Sequence, residues 1–114
     1  QRGGPNHVGN YCGAPIMVDI ATGFIYYTPV YHVLAQLSRT IRPGDRALQT
    51  DKHLEKLEQD ALHASASIND AGLLSVQVLN TTKKTIDYAL QIGHQHAEVT
   101  IDANALTTIQ IHIP

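Results

Sequence analysis

Leu62-His63-Ala64-Ser65-Ala66-Ser67-Ile68, then Asn69-Asp70-Ala71-Gly72, then Leu74-Ser75-Val76-Gln77-Val78 is the stretch that decides the fold. Apolar Leu62, Ala64, Ala66 and Ile68 alternate with polar His63, Ser65 and Ser67, the period of two that puts one side of a strand inside. Asn69 to Gly72 carries hairpin-turn chemistry, and Leu74, Val76 and Val78 resume the alternation. The same pattern continues downstream. Ile86, Tyr88, Leu90 and Ile92 alternate with Asp87, Ala89 and Gln91; Ala97, Val99 and Ile101 follow Gly93. Ile109, Ile111 and Ile113 alternate with Thr108, Gln110 and His112, after a turn at Asp102-Ala103-Asn104. Upstream, Arg46 to Gln49 reads as a further strand, whereas Asp51 to Gln59 fits either a helical stripe or a charged loop. Half-polar strands joined by short turns every eight to twelve residues spell an antiparallel β-sandwich.

Before Arg46 the period changes. Thr28 is a good N-cap, and Pro29 suits the first helical position, where its missing N–H costs nothing. Val30, Val33, Leu34, Leu37 and Ile41 fall on one helical stripe; Arg39 and Arg42 place positive charge at its end, before Pro43-Gly44. Alone in water so short a helix is marginal, so its stripe needs a surface to dock on. Ahead of the helix, Ile16 to Ile20 and Phe24 to Tyr27 read as two short strands around a turn at Asp19 to Gly23. Gly3, Gly4, Pro5, Gly9, Gly13 and Pro15 punctuate the first segment, which reads as a loop with a fixed path.

The bulk numbers narrow the function. The chain has 114 residues and a net charge of −2 with histidines neutral, and its basic residues are scattered. A nucleic-acid partner would need clustered Lys and Arg, so none is expected. No apolar run approaches the ~18 residues of a membrane span. Cys12 is the one cysteine, which leaves no internal disulfide to form. A chain that opens within a turn and without an initiator Met reads as the downstream part of something longer. There is no internal repeat and no low-complexity tract.

The residues of the first segment resemble the C-terminal end of a glucosylceramidase-like glycoside hydrolase, one of the family 30 retaining β-glycosidases. The matching positions are Gly3, Gly4, Pro5, Asn6, Val8, Asn10, Tyr11, Pro15 to Asp19, Pro29 to His32, Ile41 to Gly44, and Val78 to Asn80. The first forty-four residues make the likeness specific. It implies a mainly β chain, an antiparallel β-sandwich preceded by the last loop and helix of a (β/α)8 barrel. Residues 1–44 would then end the catalytic barrel and 45–114 form the C-terminal sandwich.

The resemblance further implies an enzyme acting on β-glucosides or related β-glycosides, with no cofactor. Its two catalytic Glu residues would lie upstream, so this stretch alone is expected to be silent. None of its acidic residues sits in the family's motif context for either role. By the family pattern Asn10 and Tyr11, with His7 beside them, line the rim of the sugar pocket. His7 stands where the animal enzymes carry Trp, and Cys12-Gly13 replaces a stretch that often holds Asp, so substrate preference does not carry over. The partners implied are a carbohydrate substrate and, for an isolated chain with an uncovered stripe around Val33 and Leu37, a homodimer, a swapped oligomer or self-packing.

Alternative readings of single residues are blander. His7 with Cys12 matches no zinc spacing; His94 and His96, two apart, would share one face of a strand, but a pair holds a metal only with further ligands, and His63 and His112 cannot be placed beside them, so no metal is expected. Asn80-Thr81-Thr82 has the form of a glycosylation sequon, which carries meaning only in a secreted eukaryotic protein, and in a turn Asn is expected anyway. A free-standing sandwich that binds carbohydrate or protein without chemistry is the competing function. Such a module normally displays stacking aromatics, and after Gly44 the chain has Tyr88 alone.

Overall fold

The computed structural model describes Gly9, residues 13–53 and residues 60–113. The elements run β1 (Ile16–Val18), β2 (Ile25–Tyr27), α1 (Pro29–Thr40), β3 (Arg46–Leu48), β4 (Leu62–Ile68), β5 (Leu73–Asn80), β6 (Ile86–Ile92), β7 (Gln95–Ile101) and β8 (Leu106–His112). All strand pairs among these elements are antiparallel, in a β1-β2 pair, a β3-β4-β5-β8 sheet and a β6-β7 pair. The chain is mainly β, as its alternation predicts. It separates into two compact units, with the boundary between Arg39 and Thr40.

The second unit contains the sandwich. Its centre is β5, paired along one side with β4 (Val76 opposite Ala66) and along the other with β8 (Val76 opposite Ile109). The Asn69-to-Gly72 turn joins β4 to β5, closed by Gly72 N–H to Asn69 O at 3.1 Å. Leu62, Leu74, Val76 and Val78 of the larger sheet pack with Ile86 and Ile101 of the β6-β7 hairpin in one apolar cluster, with Ala61 beside them. This is the layered burial that an antiparallel sandwich uses. Ile101 is 1 % exposed and sits at its centre.

The opposite face of β5 is also buried, but by polar side chains. Ser75 and Gln77 are both buried. Gln110 Nε2 donates to Ser75 Oγ at 3.1 Å, and Ser65 Oγ donates to Gln77 Oε1 at 3.2 Å. Gln77 Nε2 donates to Thr40 Oγ1 at 3.3 Å, so this amide is engaged at both ends. Buried polar groups need such partners, because an unmade bond costs about 1–3 kcal/mol.

Three details differ from the sequence expectation, whereas residues 51–53 fit its loop alternative. The helix ends at Thr40, so Ile41 and Arg42 lie beyond it and Arg39 is the basic residue of its last turn. The physical reason is Pro43, which disfavours helical backbone at the residue before it. The Arg42 N–H instead donates to Asp45 Oδ2 at 2.8 Å in the following turn. Residues 51–53 form no regular element, and 54–59, the rest of the ambiguous segment, lie outside the described residues. Ala64, placed by alternation on the core side, is exposed. His94 precedes β7, so it does not share a strand face with His96.

The first unit is built differently. β1 and β2 pair Ile16 with Tyr27 and Val18 with Ile25. Gly23, at φ 72°, lets the chain reverse, and its N–H reaches Asp19 O at 2.7 Å. The following helix has no buried residue, and Val30 and Leu34 of its apolar stripe are exposed. Leu37, further along that stripe, is half-buried.

Candidate functional site

The three residues that the resemblance places on a pocket rim, His7, Asn10 and Tyr11, lie outside the described residues, as does Cys12. What the structure describes is the footing on which their segment ends. Thr28 Oγ1 lies 3.1 Å from Ala14 O and 3.0 Å from Pro15 O, and donates its proton across this pair of carbonyls. The Thr28 N–H donates to Pro15 O at 3.0 Å as well. At the same residue Thr28 O accepts the N–H of Tyr31 at 2.9 Å and of His32 at 3.4 Å, starting the helix. Thr28 therefore opens α1, as an N-cap should, while its hydroxyl reaches back to the incoming strand. The sequence signals the cap; the reach to Ala14 has no local signal.

Aromatic rings gather around this footing. Tyr27 and Tyr31 have centroids 4.7 Å apart, and Tyr31 meets His32 edge-on at 5.4 Å. Phe24 and Tyr26 lie 6.3 Å apart. These are aromatic-pair spacings. Successive strand residues point to opposite sides, so Tyr26 and Tyr27 do not share one face of the hairpin.

The described carboxylates are structural where their bonds are resolved. Asp19 Oδ1 accepts from Ala21 N at 3.0 Å, and Asp87 Oδ1 accepts from Thr100 Oγ1 across the β6-β7 pair at 2.6 Å. Among the described residues no three His, Cys, Asp or Glu side chains gather to hold a metal. His94 and His96 are exposed, one in the turn and one on the strand.

A cleft of about 260 Å³ is lined by Thr50, Asp51, Lys52, His63 and Ala64. That falls below the ~300 Å³ at which small-molecule pockets usually begin. Lys52 Nζ is tied to Leu62 O at 3.0 Å, and Thr50 Oγ1 donates to Ala64 O at 3.3 Å. These bonds hold residues 50–52 along β4, which explains the cleft as a structural seam. Sequence reading passed over it because Asp51 to Asp60 looks like a solvated charged run.

Tyr88, the single aromatic of the sandwich, offers no stacking platform. It packs half-buried against the apolar cluster. Its buried hydroxyl meets no partner among the described residues, and burial pushes its pKa above the ordinary 10.0.

Comparison with known proteins fits this architecture. Putative glucosylceramidase 1 of Caenorhabditis elegans is 30 % identical over 96 % of this chain, which corresponds to 21 % of that protein. Putative glucosylceramidase 4 of the same organism is 27 % identical over 95 % of the chain. The chain thus spans about a fifth of the length of these curated relatives. Among solved structures, SrfJ from Salmonella typhimurium superposes with a TM-score of 0.87 at 22 % identity, covering 99 % of this chain and 24 % of that one. An endo-beta1,6-glucanase superposes at 0.74 and 18 % identity over 88 % of this chain and 22 % of its own. At such identities these two likenesses speak for the fold. Residues 49–109 match the glycosyl hydrolase family 30 beta sandwich domain, and with β3 to β8 arranged as that name describes, this chain belongs to that family.

Proposed function

We propose that this chain is the C-terminal segment of a retaining β-glycosidase of the glucosylceramidase-like kind. Residues 1–44 are the last loop and helix of its catalytic (β/α)8 barrel, and residues 45–114 are the sandwich that buttresses it. Asn10, Tyr11 and His7 form part of the rim of the sugar pocket, on the side of a barrel where such enzymes carry their sites. The observation that supports this reading most is continuity. A family 30 sandwich follows directly on a hairpin and helix whose incoming strand is clamped by Thr28 at Ala14 and Pro15. A clamp three residues after Tyr11 gives a rim loop a fixed base, which orientation of a sugar requires.

Retaining hydrolysis takes two carboxyl groups about 5–5.5 Å apart, one as nucleophile and one as acid and base. In this reading both come from the barrel upstream, and this segment contributes binding and support. The test is a pair of assays with an aryl β-glycoside. This chain alone is expected to show no steady turnover, and the longer polypeptide carrying both acids is expected to be active. In that longer protein Asn10→Ala and Tyr11→Ala should each lower kcat/KM by about 10- to 100-fold, the cost of an unmade bond to substrate. Turnover by this chain alone, or unaltered kcat/KM in both variants, would overturn the proposal.

A further inference from the structure

Asn80-Thr81-Thr82 has the form of a glycan acceptor, yet the structure uses Asn80 otherwise. Asn80 is 0 % exposed, at the end of β5 where the chain leaves the larger sheet for the β6-β7 hairpin. Its Nδ2 donates one proton to Lys84 O at 2.7 Å and the other to Asp102 O at 2.9 Å. Lys84 precedes β6 and Asp102 follows β7, so one amide ties both crossings between the sheets. Its Oδ1 accepts the N–H and the hydroxyl of Thr82, both at 2.9 Å. All four bonding positions of a side-chain amide are thereby filled. The backbone closes the same junction, with Asn80 N donating to Ala105 O and Asn104 N to Thr82 O, each at 2.9 Å.

From this junction we infer that Asn80 is a glycan acceptor in the unfolded chain only, and that glycosylation and folding exclude each other. The inference is independent of the glycosidase reading. Transfer from a lipid-linked diphosphate oligosaccharide would form a bond between Nδ2 and the anomeric carbon. The bond from that carbon to the diphosphate oxygen would break, the lipid diphosphate leaving with the electron pair and the amide proton passing to a base on the transferase. The product has one N–H where the junction uses two, so either Asp102 O loses the Asn80 donor or Lys84 O keeps only the Thr82 hydroxyl, 3.1 Å away. A sugar ring would also occupy space that no solvent reaches. Folding first makes the acceptor inaccessible; glycosylation first removes the tie on which the crossings depend.

The experiment incubates an oligosaccharyl transferase and its lipid-linked donor with three acceptors. These are the folded chain, an unfolded peptide spanning residues 76–88, and the full chain carrying Ile101→Ala, warmed above its melting temperature. Intact mass reports the transfer. The peptide and the warmed variant should be modified at Asn80. The folded chain should react about 1,000-fold more slowly or less, since only its unfolded fraction is open to the enzyme. The modified variant should not recover cooperative melting on cooling, whereas the unmodified variant should. Modification of the folded chain at the peptide's rate with its melting unaltered would overturn the inference. So would a peptide that the transferase refuses.

Discussion

The sandwich unit and the hairpin-helix unit keep equally regular hydrophobic patterns but use them differently. Every fully buried side chain among the described residues lies between Ala61 and Ile101, in the sandwich. In the hairpin and helix, by contrast, Ile16, Phe24, Tyr27, Val30 and Leu34 are all exposed. Periodicity therefore reports which element a segment forms, and only the tertiary partner decides whether its apolar side is covered. The sandwich carries its own partner, the β6-β7 hairpin against the larger sheet. Local bonds carry the hairpin and helix instead: the Asp19 turn, the Thr28 clamp and the aromatic pairs.

The largest expected effect lies at the centre of the sandwich. Ile101→Ala should destabilise the chain by about 2–5 kcal/mol, through lost burial and the cavity left behind, as read from urea unfolding. An effect as small as that of a surface change would mean that the sandwich has no dominant core, and the contrast would fail. Gly72→Ala comes next. Gly72 has φ +77°, and a Cβ there would meet Ile113 O at 2.8 Å, while Gly72 O accepts the Ile113 N–H at 2.9 Å. Strain at a left-handed position with a backbone clash should cost about 1–3 kcal/mol.

On the other side of the comparison, Thr28→Ala should cost about 1 kcal/mol, the scale of a lost cap or hydrogen bond. Hydrogen exchange should locate the loosening in residues 13–31 and leave the sandwich unchanged. Tyr88→Phe should be neutral or stabilising by up to ~1 kcal/mol, because it deletes a buried hydroxyl that meets no partner among the described residues. The pH sense follows from the raised pKa. The folded state holds the phenol proton more tightly than the unfolded chain does, so stability present below pH 10.0 is lost as pH rises through the folded value. Tyr88→Phe should remove that alkaline loss, which a series of urea titrations from neutral to high pH would detect. The smallest effect is expected at the exposed helix stripe: Leu34→Gln should change the stability of this chain by no more than ~0.5 kcal/mol. A larger loss would show that the stripe is covered in solution.

How much of this was legible beforehand depends on the kind of interaction. The strands from Arg46 onward could be read because alternation and turn residues act locally, and β4 and β6 match their predicted ends. Thr28 and Pro29 placed the start of α1 for the same reason. The apolar stripe runs on to Ile41, one residue past the end of α1, because periodicity does not register the stop that Pro43 imposes on the residues before it. Burial on the polar face was likewise hidden: Ser75 and Gln77 look solvent-facing by alternation, yet both are buried beside cross-strand partners. Asn80 looked like a turn residue, since nothing in Val-Leu-Asn-Thr-Thr announces Asp102 as a partner. The rim assignment of His7, Asn10 and Tyr11 rests on family likeness alone, and those three lie outside the described residues.

The order β3-β4-β5-β8 carries a kinetic consequence. β4 meets β5 across a tight turn, and β6 meets β7 across another, so both hairpins close short loops. β8 must reach β5 past the whole β6-β7 excursion, at a larger loop-closure cost. Docking of the last strand is then the slow event in assembling the sheet, and refolding probed at Ile109 should lag refolding probed at Ala66.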